Sequence, residues 1–496
     1  MASLTNEKRA ELVQSLRFDA GQPENAKNDR NFYPIAEHLR ALDPSVVLIV
    51  GDRGAGKTKL VQLTKNERQR SAVGRRFPEL RAVMNKTEWR DGHPLQSEGP
   101  DPRGWQAFVE AHGADRTAMQ ELWLAYLLRV IQGRLDAEAK EALAGLFACP
   151  GGDAERCFAE FKKAGTAALL AVDRLDKSLE REDAWLFVSY DELDTILYSD
   201  WAAMGTVIRG LISFWATYAR RFRRVRAKLF LRTDFYRHHS DVTGADIAKL
   251  AANRVELAWS DKNLYGMLIQ HVANTSEDLF TYFRRTVPFE KKDPVLGHIP
   301  RLLKKEEARD FVERMVGPYM GANESKGQSF TWILDHLRDG NRKASPRSLV
   351  LLIERAAEIE SGTPRAIRTQ LLHPISLRNA LDKVSEQHVD QAINELPWLT
   401  GLKERLAKDR EVPWTRRELE TLVRGRWDES WSPSRSEVRP PTDNPRALVD
   451  YLMELGIVRD RGGDSFDVPD LFLKGLGLTR KGGVARGKQA AARQQA

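Results

Sequence analysis

Cysteine is nearly absent from this sequence: Cys149 and Cys157 are the only two in 496 residues. Two thiols build neither a disulfide framework nor a cysteine-based zinc cluster, which points to a reducing compartment. No apolar run reaches the roughly 20 residues that a membrane helix needs. The opening stretch, Met1 to Arg9, lacks the apolar core of a signal peptide. The expectation is therefore a cytoplasmic protein with no membrane partner. His-Glu-x-x-His is missing as well, and the pair His238-His239 has no further ligand at metal-binding spacing, so the ten histidines read as structural or surface residues. An excess of one charge is also lacking. The 78 basic and 70 acidic residues leave +8, which permits local contact with nucleic acid without requiring it.

What is present is length enough for several domains and a clear change of pattern along the chain. Residues 1–45 read as a polar helical segment with a loop at Gly21-Gln-Pro-Glu-Asn25. Val46–Val50 is a short β-branched run ending at a glycine, as a buried parallel strand does. Leu80–Met84 reads as a second strand, and Trp185–Tyr190, Lys228–Leu231 and Val255–Ala258 as further ones. Helical patterns separate them, so the fold class is an α/β P-loop NTPase, a parallel sheet with helices on both faces. It occupies residues 46–260 and carries a helical insertion at about 90–183, longer than a crossover needs. Residues 261–405 read as a helical lid domain. Residues 406–480 contain helices, a proline-rich break from Trp431 to Pro445, and a hairpin around Gly462-Gly463, the pattern of a winged-helix module. Residues 481–496 read as a basic disordered tail.

The chemistry is concentrated in Gly51-Asp52-Arg53-Gly54-Ala55-Gly56-Lys57-Thr58, a full match to Gly-x-x-x-x-Gly-Lys-Thr. The glycines let backbone N–H groups approach phosphate oxygens. Lys57 neutralises the β- and γ-phosphates, and the Thr58 hydroxyl coordinates Mg²⁺. The expected ligands are ATP and Mg²⁺, since no guanine-reading Asn-Lys-x-Asp motif is present. The apolar strand Trp185–Tyr190 delivers Asp191 and Glu192 at its C-terminal end, where open α/β sheets bind ligands. Asp191 fits the Mg²⁺ outer ligand and Glu192 the base that polarises water. The strand Lys228–Leu231 ends in Arg232-Thr233-Asp234, beside the γ-phosphate if it lies between phosphate loop and acid strand. Arg232 or Thr233 then stabilises developing charge; the alternative is a structural Arg232–Asp234 ion pair. The run from Arg220 to Arg226 holds five arginines, readable as a finger toward a neighbouring subunit, a nucleic-acid contact or a solvated helix end.

The order Gly-Asp-Arg-Gly-Ala-Gly-Lys-Thr, Val-Ser-Tyr-Asp-Glu-Leu-Asp, then Leu-Phe-Leu-Arg-Thr-Asp resembles the AAA+ and STAND branch of P-loop ATPases over residues 30–380. The resemblance implies a lid arginine on the γ-phosphate, for which Arg347 in Ser345-Pro-Arg-Ser348 is the candidate. It also implies an ATP-hydrolysing switch acting on an effector partner or through a homo-oligomer, in a setting such as bacterial antiviral defence. The alternative is a DNA-associated ATPase that uses the winged helix, resembling origin-binding or transposition-regulating members. A merely structural nucleotide is disfavoured by the intact Lys57, Thr58, Asp191 and Glu192.

Overall fold

The structure, a computed structural model, describes residues 4–18, 30, 32–92, 99–197, 200–239, 245–301, 303–362, 369–407, 409–424 and 440–481. The loop at 21–25, most of the proline-rich break and nearly all of the basic tail lie outside these residues. The chain divides into two compact units. One comprises residues 18–311 with 345–350, and the other residues 1–17, 312–344 and 351–496.

The first unit is built on five parallel strands: β1 (Leu48–Gly51), β2 (Thr87–Asp91), β3 (Trp185–Tyr190), β4 (Val225–Arg232) and β5 (Val255–Glu256), in the order β2-β3-β4-β1-β5. Side chains alternate between the two faces, as the period of a strand demands. Leu186, Val188 and Tyr190 of β3 and Ala227, Leu229 and Leu231 of β4 point into one core; Phe187, Phe230 and Ile49 point into the other. The first core is completed by the helices Pro102–His112, Arg116–Ile131, Ala154–Ala164, Ala167–Glu182 and Trp201–Tyr218; Trp105 packs on Trp123, Trp123 on Tyr190 and Tyr190 on Trp215. The helical insertion and the helix Trp201–Tyr218 thus share the cover of this face of the sheet. Each fully buried large side chain there contributes about 2–3 kcal/mol.

One sequence expectation needs correction. Leu80–Met84 is not a strand: a 3₁₀ turn, Pro78–Leu80, leads into the helix Arg81–Asn85. Leu80, Val83 and Met84 recur at helical spacing and enter the second core together. The strand is Thr87–Asp91, whose polar Glu88 and Arg90 suit an edge with one neighbour and conceal it from a hydrophobicity reading. Within the insertion, the helices Ala154–Ala164 and Ala167–Glu182 are divided at Gly165.

The arginine-rich run before β4 is held by the insertion. Asp176, buried on the helix Ala167–Glu182, accepts hydrogen bonds from the backbone N–H groups of Arg223, Arg224 and Val225 at 2.9, 2.7 and 2.8 Å. On the same helix and just beyond it, Asp173 pairs with Arg221, Glu180 with Arg223 and Asp183 with Arg224. The backbone at the start of β4 is thereby tied to the helix Ala167–Glu182.

In the second unit the helix Asn6–Gln14 is fixed by Arg9, which donates to Glu360 at 2.7 Å and to the carbonyls of Leu371 and Gln370 at 2.6 and 3.1 Å. Glu360 also accepts from Ser376 Oγ and the His373 N–H. Burial alone would raise its pKa; Ser376, Arg9 and His373 outweigh burial and lower it. Towards the C-terminus, β6 (Glu411–Val412) runs parallel to β9 (Thr479–Arg480), and β7 (Arg459–Asp460) pairs antiparallel with β8 (Phe466–Asp467). A bridge from Trp414 to Phe466 joins β6 to the hairpin, and the helices Arg416–Val423 and Pro445–Glu454 lie between β6 and β7 in the chain. Among the described residues, no helix is long and apolar enough to cross a membrane.

Candidate functional site

The C-terminal ends of β1, β4 and β3 are neighbours in the sheet, and each carries part of the predicted chemistry. After β1 the chain turns through the phosphate loop into the helix Lys57–Lys65. Gly54 and Gly56 have φ of 73° and 97°, the left-handed region that side chains disfavour. Gly54 is constrained twice: a Cβ there would lie 2.9 Å from Ser345 Oγ and 3.3 Å from Arg347 Cβ. The side chain of Ser345 and the Cβ of Arg347, the candidate lid arginine, therefore lie against the phosphate loop. Ser345 Oγ also accepts from the Ser348 N–H, capping the helix that Pro346 opens. Lys57 Nζ donates to the carbonyls of Gly51 and Asp52 at 2.7 and 3.1 Å. On the other flank Trp259 donates its indole N–H to the Ala55 carbonyl at 2.8 Å and packs edge-on to His38. Burial lowers the His38 pKa to about 3, with a partial offset from the Tyr33 backbone.

Asp191 follows β3 and is buried, with Glu192 beside it in a left-handed conformation at φ 55°. Such a backbone costs a non-glycine residue roughly 1–2 kcal/mol. It is held by Thr195, whose N–H and hydroxyl both bond the Glu192 carbonyl, at 2.9 and 2.7 Å. Glu192 heads the 3₁₀ turn Leu193–Thr195 and is set apart from Asp191 by this turn of the backbone.

On β4, Arg232 lies directly opposite Gly51 in the register of β1. Its guanidinium meets Asp234 through Nε at 3.1 Å and Nη2 at 2.7 Å, and both side chains are about a tenth exposed. Burial pushes the Asp234 pKa up, but Arg232, the Phe235 N–H and Arg53 of the phosphate loop bring it below the usual carboxylate value. The ion pair weighed from the sequence is formed. Thr233 is different: its Oγ1 is buried and has no hydrogen-bond partner among the described residues. A buried hydroxyl left unsatisfied costs about 1–3 kcal/mol, so this position favours a ligand oxygen or water.

These groups suit a magnesium–nucleotide complex. Thr58 and Asp191 offer hard oxygen donors, and Mg²⁺ is normally held by one or two such groups together with phosphate oxygens. A site of that kind needs no cage of protein ligands, and among the described residues no cluster of three His, Cys, Asp or Glu side chains could form one. The side chains of His238 and His239 lie outside the described residues. The sequence reading did not anticipate Trp259 at the loop; a tryptophan just after a strand gives no local sign that it will meet a carbonyl 204 residues away.

The fold and site define a parallel α/β unit with a phosphate-loop motif after its first strand. No family model and no curated protein matches the sequence. Among solved structures, the chain is similar to Aeropyrum pernix ORC2 in its ADPNP–ADP complexes, at 13% identity and a TM-score of 0.35, covering 98% of this chain and 94% of that one. It is also similar to Aeropyrum pernix ORC1 in complex with DNA (12%, TM-score 0.36, covering 90% and 93%) and to Cdc6p from Pyrobaculum aerophilum (10%, TM-score 0.27, covering 96% and 97%). Likeness at these scores assigns no residue or activity to this chain.

Proposed function

We propose that this chain is a Mg²⁺-dependent, ATP-hydrolysing switch of the AAA+ type. The observation that carries the reading is the meeting of three adjacent strand ends: the phosphate loop after β1, Thr233 after β4, and Asp191 with Glu192 after β3. A strand between the loop and the acid pair is the arrangement of the ATPases that place glutamate beside the magnesium aspartate. Lys57 and the loop amides bind the phosphates, Thr58 and Asp191 hold the ion, and Glu192 accepts a proton from water. Mg²⁺ supplies neutralisation of phosphate charge. Thr233 and Arg232, and Arg347 from the helix Pro346–Gly362, stand where the γ-phosphate would be read. Glu192→Gln should lower turnover about a thousandfold while ATP stays bound; unchanged turnover would reject the assignment.

For the output, the chain's own features favour the DNA-associated reading over control of an effector. The order strand, helix, helix, hairpin from Glu411 to Asp467, with Trp414 bridging to Phe466, supports a winged-helix module. On its hairpin side Arg459, Arg461 and Arg480 gather within 3.2, 3.7 and 3.6 Å of the buried Asp467. Arg480 also pairs with Asp470, and Asp460 and Asp464 share the hairpin, so this cluster is charge-balanced and the DNA-associated reading rests on the order of elements. Control of an effector, and antiviral defence with it, has no comparable feature among the described residues. Duplex DNA titrated into the full chain at low salt should bind, and Arg459→Glu with Arg461→Glu should weaken it and flatten its salt dependence. Absence of binding by wild type at any salt would exclude this output. Sizing the Glu192→Gln chain with and without ATP tests nucleotide-dependent homo-oligomer formation.

A further inference from the structure

We propose that Trp259 is a positioning residue that aims the phosphate loop: its indole N–H holds the Ala55 carbonyl from outside the loop and so turns the Gly56 N–H towards the phosphates of a bound nucleotide. The inference rests on the ATPase reading and deepens it.

A trans peptide is planar, and its C=O and N–H point in opposite directions. The Ala55–Gly56 bond is trans, so whatever fixes the Ala55 carbonyl also fixes the direction of the Gly56 N–H. Trp259 Nε1 donates to that carbonyl at 2.8 Å from 204 residues away in the chain. The carbonyls of Gly51, Asp52 and Gly56 are held from within instead. Lys57 Nζ takes the first two, the Ala55 N–H also bonds Asp52 at 3.2 Å, and the Leu60 N–H of the following helix bonds Gly56 at 3.0 Å. Among the described residues no acceptor meets the Gly56 N–H. Gly56 caps the helix Lys57–Lys65, whose first-turn N–H groups have no partner within the helix. Its own N–H, aimed from behind by Trp259, joins that set of phosphate donors.

Trp259 can serve as a reference because its own place is set elsewhere. Two residues before it, the Leu257 N–H donates to the Val50 carbonyl at 2.7 Å. One residue after it, Ser260 caps the helix Asp261–Thr275 by accepting the Asn263 N–H at 3.2 Å. The indole is backed edge-on by His38, with ring centroids 5.6 Å apart, and His38 by Phe32 at 5.1 Å. The Phe32 carbonyl in turn takes Gln270 Nε2 at 2.9 Å. A loop containing Gly51, Gly54 and Gly56 has little stiffness of its own, so the direction of its peptides is imposed by such contacts. An N–H ordered before the ligand arrives adds no ordering cost to binding. A purely structural indole would contribute to folding alone. An aiming indole contributes to phosphate affinity, and equally in ground and transition states, which moves KM and leaves kcat.

The experiment uses the full chain as wild type, as Trp259→Phe, which keeps a ring beside His38 and removes the donor, and as Leu80→Ala, which opens a cavity in the second core. Calorimetric titration should show inorganic pyrophosphate and ADP both bound about tenfold more weakly by Trp259→Phe. Its KM for ATP should rise to match, with kcat within about twofold of wild type. Leu80→Ala should lower the melting temperature at least as far while pyrophosphate affinity stays within about twofold. In the wild-type chain labelled at alanine carbonyls and glycine nitrogens, the magnetic resonance signal of the Ala55–Gly56 amide should shift when pyrophosphate is added. Wild-type pyrophosphate affinity in Trp259→Phe, a loss confined to ADP, an equal loss in Leu80→Ala or an unmoved amide signal would each overturn the inference. The last of these requires no variant to fold. A wild-type chain that binds neither pyrophosphate nor ADP defeats the ATPase reading itself, whereas binding that Trp259→Phe matches defeats the role of Trp259 alone.

Discussion

Arg9 with Glu360 and Arg232 with Asp234 are both buried pairs closed at 2.7 Å, one in each unit, and they differ in almost everything else. The first joins residues 351 apart, and its carboxylate is completed by Ser376 and the His373 backbone. The second joins residues two apart and shares its carboxylate's field with an arginine of the phosphate loop. A pair between distant segments lowers the free energy of one arrangement of the chain. A pair between near neighbours adds little to that; what it fixes is the direction of a side chain. The same chemistry is a fastening in one unit and an aiming device in the other.

Arg9→Ala should give the largest loss of stability, about 3–5 kcal/mol, because it strands a buried carboxylate. Nucleotide affinity should not change; calorimetry and ADP titration on the same sample check both. The folded-state pKa of Glu360 is lowered from 4.5, so this contribution is complete above that pH and fades as pH falls through the folded value. The difference between wild type and Arg9→Ala should shrink accordingly in acid. Arg232→Ala also strands a buried carboxylate, that of Asp234, so it too should lower stability; what separates the two variants is turnover, down about a hundredfold, or roughly 2.7 kcal/mol in the barrier. Wild-type turnover in Arg232→Ala would break the comparison.

A third buried cation sharpens it. Lys228 donates to the Asp43 and Val46 carbonyls from inside the sheet, and burial lowers its pKa from 10.5 to about 7. Between those values the unfolded chain binds more protons than the folded one, so stability should rise from pH 7 towards 10. Lys228→Met should flatten that rise in pH-dependent melts. The smallest effect is expected at Glu192: Glu192→Gly should raise stability by about 1 kcal/mol by relieving its left-handed backbone, while abolishing turnover. A loss of stability there would show that the conformation is not strained.

Much of the site was legible because its signals are local. The phosphate loop, the acid pair after an apolar strand and Arg232-Thr233-Asp234 each lie within a few residues of a strand end, and a parallel sheet collects such ends on one edge. Lys228–Leu231 as the strand between loop and acids was also readable, since the consecutive apolar Leu229, Phe230 and Leu231 suit a central strand buried on both faces. Partners brought in from afar were not legible. Nothing near Arg221 announces Asp173, and nothing near Ala55 announces Trp259. Edge strand β2 escaped because an edge tolerates polar residues, while Leu80–Met84 imitated a strand by composition but has helical spacing. The bridged segment at 289–300, where Glu290 pairs with Arg76, had no alternating pattern to reveal it.

Asp176 bears on how this molecule can be trimmed. Its carboxylate takes three consecutive backbone N–H groups at the threshold of β4, and it belongs to the segment that looks most dispensable on a sequence map. Cutting out residues 99–183 to obtain a minimal nucleotide unit would leave those three donors unanswered and bare part of one face of the sheet. Engineering by deletion is thus closed at this point. Loop exchange at the surface of the insertion, away from Asp176 and Trp123, is the route by which the segment could be varied while the candidate site stays intact.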